Sequence, residues 1–173
     1  MRRRFQAIAL IAFTVLGGGC GSWEVAKPKI VNSRLIPAPF EPTWSAVVES
    51  VAVGTYTIKT IEKASGILAL EPVTLPEVFS DECDRLVVLP DAIGADWQAP
   101  VMHVNFFVIP EGENTTRVTI NTSVRVYEAY FTERWFTGYS KGVIEKTLLD
   151  EIESRIRTRS ATVVPKSDST HSN

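Results

Sequence analysis

The sequence predicts an α+β domain in which an antiparallel sheet carries two helices packed on one face. Three observations predict it. Two apolar-alternating segments, 101–109 and 117–127, are joined by a short polar link. Two further strand-like segments flank a short loop ending in Gly66. Apolar residues at helical spacing lie on both sides of this strand-rich region, at 44–51 and 144–156. Strands linked by hairpins pair antiparallel, and helices segregated from them make an α+β rather than an α/β order. A chain of 173 residues suits one domain with tails.

Taken in order, residues 29–36 leave both faces partly apolar through Ile30, Val31, Leu35 and Ile36, which reads as an edge strand. Pro37 and Pro39 end it, because proline cannot donate to a ladder. Trp44, Val47, Val48 and Val51 fall at i, i+3, i+4 and i+7 and define one helix face. Pro42 suits the first turn and Gly54 the stop. TYTIKTIE and GILALEP flank Lys63-Ala64-Ser65-Gly66 as a hairpin. The region 73–98 holds prolines and acidic residues around one apolar strand, Arg85 to Leu89.

Val101 to Ile109 and Arg117 to Tyr127 give the strongest β signal, joined by Pro110-Glu111-Gly112-Glu113-Asn114. In the second of these, Val118, Ile120, Thr122, Val124 and Val126 point one way; Arg117, Thr119, Asn121, Ser123 and Arg125 point the other. One face is therefore buried and one wet. A last helix is expected from about Tyr139 to Arg157, with Ile144, Leu148, Leu149, Ile152 and Ile156 as its stripe. Glu151 with Arg155 and Glu153 with Arg157 have the favourable i,i+4 order. Residues 160–173 are polar and read as a disordered tail, so the domain spans 29–159.

The first nineteen residues read as an address. Arg2, Arg3 and Arg4 precede the 12-residue apolar run Phe5 to Leu16, followed by Gly17, Gly18, Gly19 and Cys20. This is the layout of a signal peptide, too short for an ordinary membrane-spanning helix of about 20 residues. VLGGGC resembles the lipobox of bacterial lipoproteins, with Gly18, Gly19 and Cys20 at its last three positions. The resemblance implies cleavage before Cys20, acylation of that thiol with diacylglycerol and palmitate, and a lipidated tether over 20–28. Such lipoproteins stay in the inner membrane when aspartate follows the cysteine. Gly21 stands there, which implies a periplasm-facing outer-membrane lipoprotein, with inner-membrane retention or free secretion as alternatives.

Loss of the three arginines leaves 15 basic against 20 acidic groups, a net charge of −5. A nucleic-acid surface needs clustered Lys and Arg, so that class is excluded. If Cys20 is acylated, Cys83 has no partner within the chain; if not, a Cys20–Cys83 disulfide is open in an oxidising compartment.

EPTWSAVVESVAVGTYTIKTIEKASGILALEP resembles the opening of small proteobacterial envelope lipoproteins. FTGYSKGVIEKTLLDEIESRI is similar to their terminal Ser-x-Gly-x-x-Glu helix, with Ser140, Gly142 and Glu145 at the matching places. The arrangement resembles a BamC-like helix-grip domain. Together the matching stretches cover about a third of the chain, and they imply fold and compartment more than activity.

Few residues carry chemistry. Cys83 with His103 is the one conceivable thiol–imidazole pair, and Asp81, Glu82 and Asp84 would raise the thiol pKa rather than lower it. The same carboxylates lack the spacing and the turn glycine of a calcium loop and read as a solvated loop. No phosphate loop, HExxH helix or GxSxG elbow occurs. The expectation is no catalytic residue, no metal and no cofactor.

The most unusual feature is aromatic. Tyr127, Tyr130, Phe131, Trp135, Phe136 and Tyr139, with Arg134, crowd the stretch expected between the last strand and the last helix. They either pack the helix onto the sheet or present a surface to a partner protein or lipid. The expected function is a non-enzymatic binding or assembly module of the cell envelope, held to the membrane through Cys20 and meeting an envelope protein. The alternatives are a small envelope enzyme using Cys83 and a secreted binding domain with the Cys20–Cys83 bridge.

Overall fold

The computed structural model describes residues 25–54, 56–78, 80–90 and 95–162. The signal segment, Cys20 and residues 163–173 of the expected tail lie outside the described residues. In chain order the elements are β1 (Ser33–Ile36), α1 (Phe40–Val53), β2 (Ile58–Glu62), β3 (Ile67–Leu70), β4 (Val73–Thr74) and α2 (Asp81–Leu86). They continue with β5 (Val87–Val88), β6 (Val101–Gly112), β7 (Thr115–Glu128), β8 (Arg134–Ser140) and α3 (Val143–Thr162). The class is α+β, with eight antiparallel strands and three helices among the described residues.

The two long strands organise everything else. β6 pairs with β7 from Val101↔Arg125 to Gly112↔Thr115, so the ladder runs through the expected link and turns only at Glu113 and Asn114. Each long strand then takes short partners on its outer edge. β3 and β4 lie along β6, at Asn105–Phe107 and Val101–Met102. β1 lies along Thr116–Thr119 of β7, and β8 along Val124–Glu128. Met102, Val104, Phe106 and Val108 alternate into the core opposite Val124, Thr122, Ile120 and Val118, as the period-2 pattern requires.

Trp44, Ala46, Val47 and Val51 of α1 join the same buried cluster as Ile144, Leu148, Leu149, Ile152 and Ile156 of α3. α1 contacts α3, β6 and β7; α3 contacts β7 and β1. A fully buried Phe106 or Leu149 contributes about 1.5–3 kcal/mol, against about 0–1 for an exposed ion pair. Packing therefore holds the helices, and the charges along α3 tune their register. Arg155 does bond Glu151, at 2.7 Å, but Glu153 turns to Arg34 of β1 at 2.9 Å rather than to Arg157.

Gly66 shows why the hairpin closes on glycine. Its φ is +68°, and a Cβ there would stand 2.0 Å from the carbonyl oxygen of Val108. Val108 in turn donates its N–H to the Gly66 carbonyl at 2.8 Å, so the turn is stitched directly to β6.

Three expectations need correction. The segment expected as a strand from Arg85 to Leu89 begins inside a helix: Ser80 caps α2 by accepting the Cys83 N–H at 3.2 Å, and only Val87 and Val88 are extended. Asp81, Glu82 and Asp84 are consequently the first turn of that helix, not a loop, where carboxylates complement the helix dipole. The last helix starts at Val143 and extends to Thr162, so Tyr139 and Ser140 belong to β8 and residues 160–162 are helical.

Candidate functional site

The aromatic stretch is a strand hairpin, and its parity separates the residues that the sequence groups together. The β7–β8 register sets Tyr127 opposite Trp135, Arg125 opposite Thr137 and Val126 opposite Phe136. Side chains at odd positions stand on the face of the sheet away from the core. Tyr127 and Trp135 meet there with ring centroids 5.4 Å apart, and the Arg125 guanidinium lies 5.3 Å from the Trp135 ring. Tyr139 shares this parity and is half-buried. Phe136 faces the other way, edge-on to Trp97 at 5.3 Å, with the Arg134 guanidinium 4.7 Å from its ring.

Tyr130 and Phe131 belong to neither face. They occupy the connecting loop, 71% and 60% exposed, with rings perpendicular at 4.9 Å. What holds them out is Glu128, the last residue of β7, whose even parity turns its side chain to the buried side. Its carboxylate is fully buried and accepts the N–H of Tyr130 at 2.9 Å, of Phe131 at 2.9 and 3.0 Å, and of Thr132. The Thr132 hydroxyl donates at 2.9 Å and the Asp96 N–H at 3.3 Å. Burial alone would push this carboxyl up. The hydrogen bonds from Phe131, Thr132 and Tyr130 outweigh that effect and draw it down to about 2.

The segment before β6 braces the same end. Gln98 donates to the Tyr127 carbonyl and Ala129 donates to that of Asp96. Glu133 closes the loop at φ +48°, an uncommon conformation for a side-chain-bearing residue. Glu128 and Arg125 were not singled out in the sequence, although one signal was readable: a carboxylate at the buried parity of a strand needs amide partners.

Ser140, Gly142 and Glu145 do come together, as a hinge between β8 and α3. The Ser140 hydroxyl donates to Glu145 Oε2 at 2.7 Å and accepts the Gly142 N–H at 3.0 Å. Glu145 is fully buried, and its Oε1 has no hydrogen-bond partner among the described residues. Gly142 has φ +86°, and a Cβ there would approach Ile30 to 3.0 Å. The spacing of the motif thus satisfies a tight strand-to-helix turn beneath the incoming N-terminal segment.

The remaining candidates are not assembled into a site. Cys83 is buried in the core; burial first, then Asp84, pushes its thiol up against the smaller pull of Lys141. His103 sits at an odd position of β6, on the face away from the core that holds Cys83. No group of three or more His, Cys, Asp or Glu side chains suited to a metal ion occurs among the described residues. A cleft of about 330 Å³ lies between α2, α3 and β6, lined mostly by apolar groups such as Leu75, Met102 and Leu148. No described helix is long and apolar enough to cross a membrane.

The chain matches no protein-family model. A search of the curated proteins likewise finds no match.

Proposed function

We propose that this chain is a non-enzymatic, lipid-anchored binding or assembly module of the bacterial cell envelope, attached to the outer membrane through Cys20 and facing the periplasm. In this reading α1 and α3 lie together on one face of the sheet in a BamC-like helix-grip arrangement, which leaves the opposite face for an envelope protein. The observation that carries it is that opposite face: the Arg125 guanidinium lies over Trp135, and Trp135 meets Tyr127 at a tilt of 57°, beside exposed Asn121 and Ser123. Trp, Tyr and Arg concentrate at protein interfaces because they bury much area at little entropic cost. Trp135 is 46% exposed, so about half of that area remains to be covered.

Photo-crosslinkers at Ser123 and Thr137 in intact cells test the reading. The expected result is a discrete adduct with an envelope protein from both positions and none from Glu151 on the exposed side of α3. Absence of adducts at every position on the open face contradicts it.

A further inference from the structure

We propose that the Tyr130–Phe131 loop is a second membrane contact, seated at the headgroup–acyl boundary of the bilayer that holds the anchor. The proposal rests on the lipid-anchored reading for its orientation and goes beyond it in naming what the loop touches.

The first argument is shape. The two largest exposed apolar side chains of the β7–β8 connection stand at the end of a hairpin, perpendicular to each other. A convex tip of this kind needs a deformable medium to bury it, whereas a protein partner must supply a matched pocket. Aromatic rings are the side chains that settle best at a membrane–water interface. The tip is also fixed in place: Glu128 gathers the three successive N–H groups of Tyr130, Phe131 and Thr132, so the rings stay presented to solvent. Insertion therefore loses little ordering entropy.

The second argument is where the N-terminal segment goes. β1 runs antiparallel to β7, with Ile36 opposite Thr116 and Ser33 opposite Thr119. Followed backward, the chain advances along β7 toward Glu128: Ile120 donates to the Asn32 carbonyl, and Ile30 lies over Gly142. From Ile36 back to Ile30 the chain thus heads toward the end of β7 that carries the aromatic tip. From about the level of Thr122 to Glu128 the strand covers roughly 20 Å at 3.4 Å per residue. The ten residue steps from Cys20 to Ile30 reach at most about 36 Å when extended. An acylated Cys20 and the loop can enter one bilayer together, which meets the general need for two signals in a stable membrane attachment.

Charge decides which lipid is needed. Arg125 and Arg134 near the rim are matched in number by exposed Asp96 and Glu133, with the buried Glu128 carboxylate satisfied within the loop. The rim offers no cationic excess, so insertion rests on apolar contact and a zwitterionic bilayer suffices.

The test uses mature full-length protein purified from membranes and reconstituted into phosphatidylcholine vesicles, with and without phosphatidylcholine brominated in its acyl chains. Phe131→Trp adds an indole at the tip. Ala64→Trp adds one to the exposed β2–β3 turn, at the opposite end of the sheet. The emission added over the parent protein is expected to shift to the blue and be largely quenched by brominated lipid for Phe131→Trp, and to stay water-like for Ala64→Trp. Intact mass of the same preparation reads the anchor separately. Acylated protein whose tip indole is unquenched overturns the loop contact and leaves the anchor standing. A quenched tip indole on protein without acyl chains supports the loop contact and removes the anchor.

Discussion

The carboxylate of Glu128 accepts the backbone N–H of Phe131 with both of its oxygens, at 2.9 and 3.0 Å. A buried strand-end acid thereby fixes the position of an exposed aromatic ring three residues later. The same bonds that draw the carboxyl from 4.5 to about 2 bind the loop to the ionised form. A depressed carboxyl contributes stability that is fully present above its unfolded value, near 4.5, and is lost as pH falls through the folded value near 2. The amide resonances of Tyr130, Phe131 and Thr132 are expected to hold steady to below pH 4 and then move together. A transition centred at 4.5 or above contradicts the cage. Glu128→Gln keeps the shape and loses the charge, and is expected to speed hydrogen exchange at these three amides while the β6–β7 ladder stays protected.

Ser140 serves two partners at once, so Ser140→Ala leaves the Gly142 N–H without its acceptor and strips the buried Glu145 carboxylate of the Ser140 hydroxyl. Loss of a buried partner of this kind costs about 1–3 kcal/mol. Urea unfolding at neutral pH measures it, and a variant as stable as the parent would show that the hinge is held by packing alone.

Three glycines form an internal series. At Gly66 a Cβ would overlap the Val108 carbonyl at 2.0 Å, at Gly142 it would press Ile30 at 3.0 Å, and at Gly112 it would meet nothing within 4 Å. Gly142→Ala is expected to cost about 1–2 kcal/mol from its left-handed conformation. Gly66→Ala should cost more, because the clash is with backbone, and Gly112→Ala least. Chemical denaturation of the three variants checks the order.

The Cys83 thiol is buried and pushed up, which disfavours the thiolate that any nucleophilic role requires. A small thiol reagent at neutral pH is expected to modify Cys83 only as fast as the domain opens. Cys83→Ala should leave the protein folded and its crosslinking unchanged. Rapid labelling of the native protein would revive the thiol-enzyme alternative.

The elements legible in the sequence were those whose periodicity matched their burial. β6 and β7 alternate cleanly because one face is core, and the α1 stripe from Trp44 to Val51 packs where its spacing places it. β8 was not legible: RWFTGYS puts Trp135, Thr137 and Tyr139 on one face and Arg134, Phe136, Gly138 and Ser140 on the other, and Gly138 lies under Leu89, so neither face reads as continuous apolar surface. α2 is too short for periodicity, and only its Ser80 cap and acidic first turn betray it. For the candidate site, the sequence grouped the aromatic residues but not their faces, since those follow from β8 being a strand. The Ser140-x-Gly142-x-x-Glu145 spacing was visible by resemblance, while its reason lies in Ile30, more than a hundred residues away.

The most direct measurement of the central claim is the intact mass of the mature protein extracted from membranes. The account predicts a chain beginning at Cys20 and carrying diacylglycerol with a further acyl chain, Cys83 reduced. A chain that still carries residues 1–19, or one shorter by two hydrogens through a Cys20–Cys83 bridge and free of lipid, would contradict it.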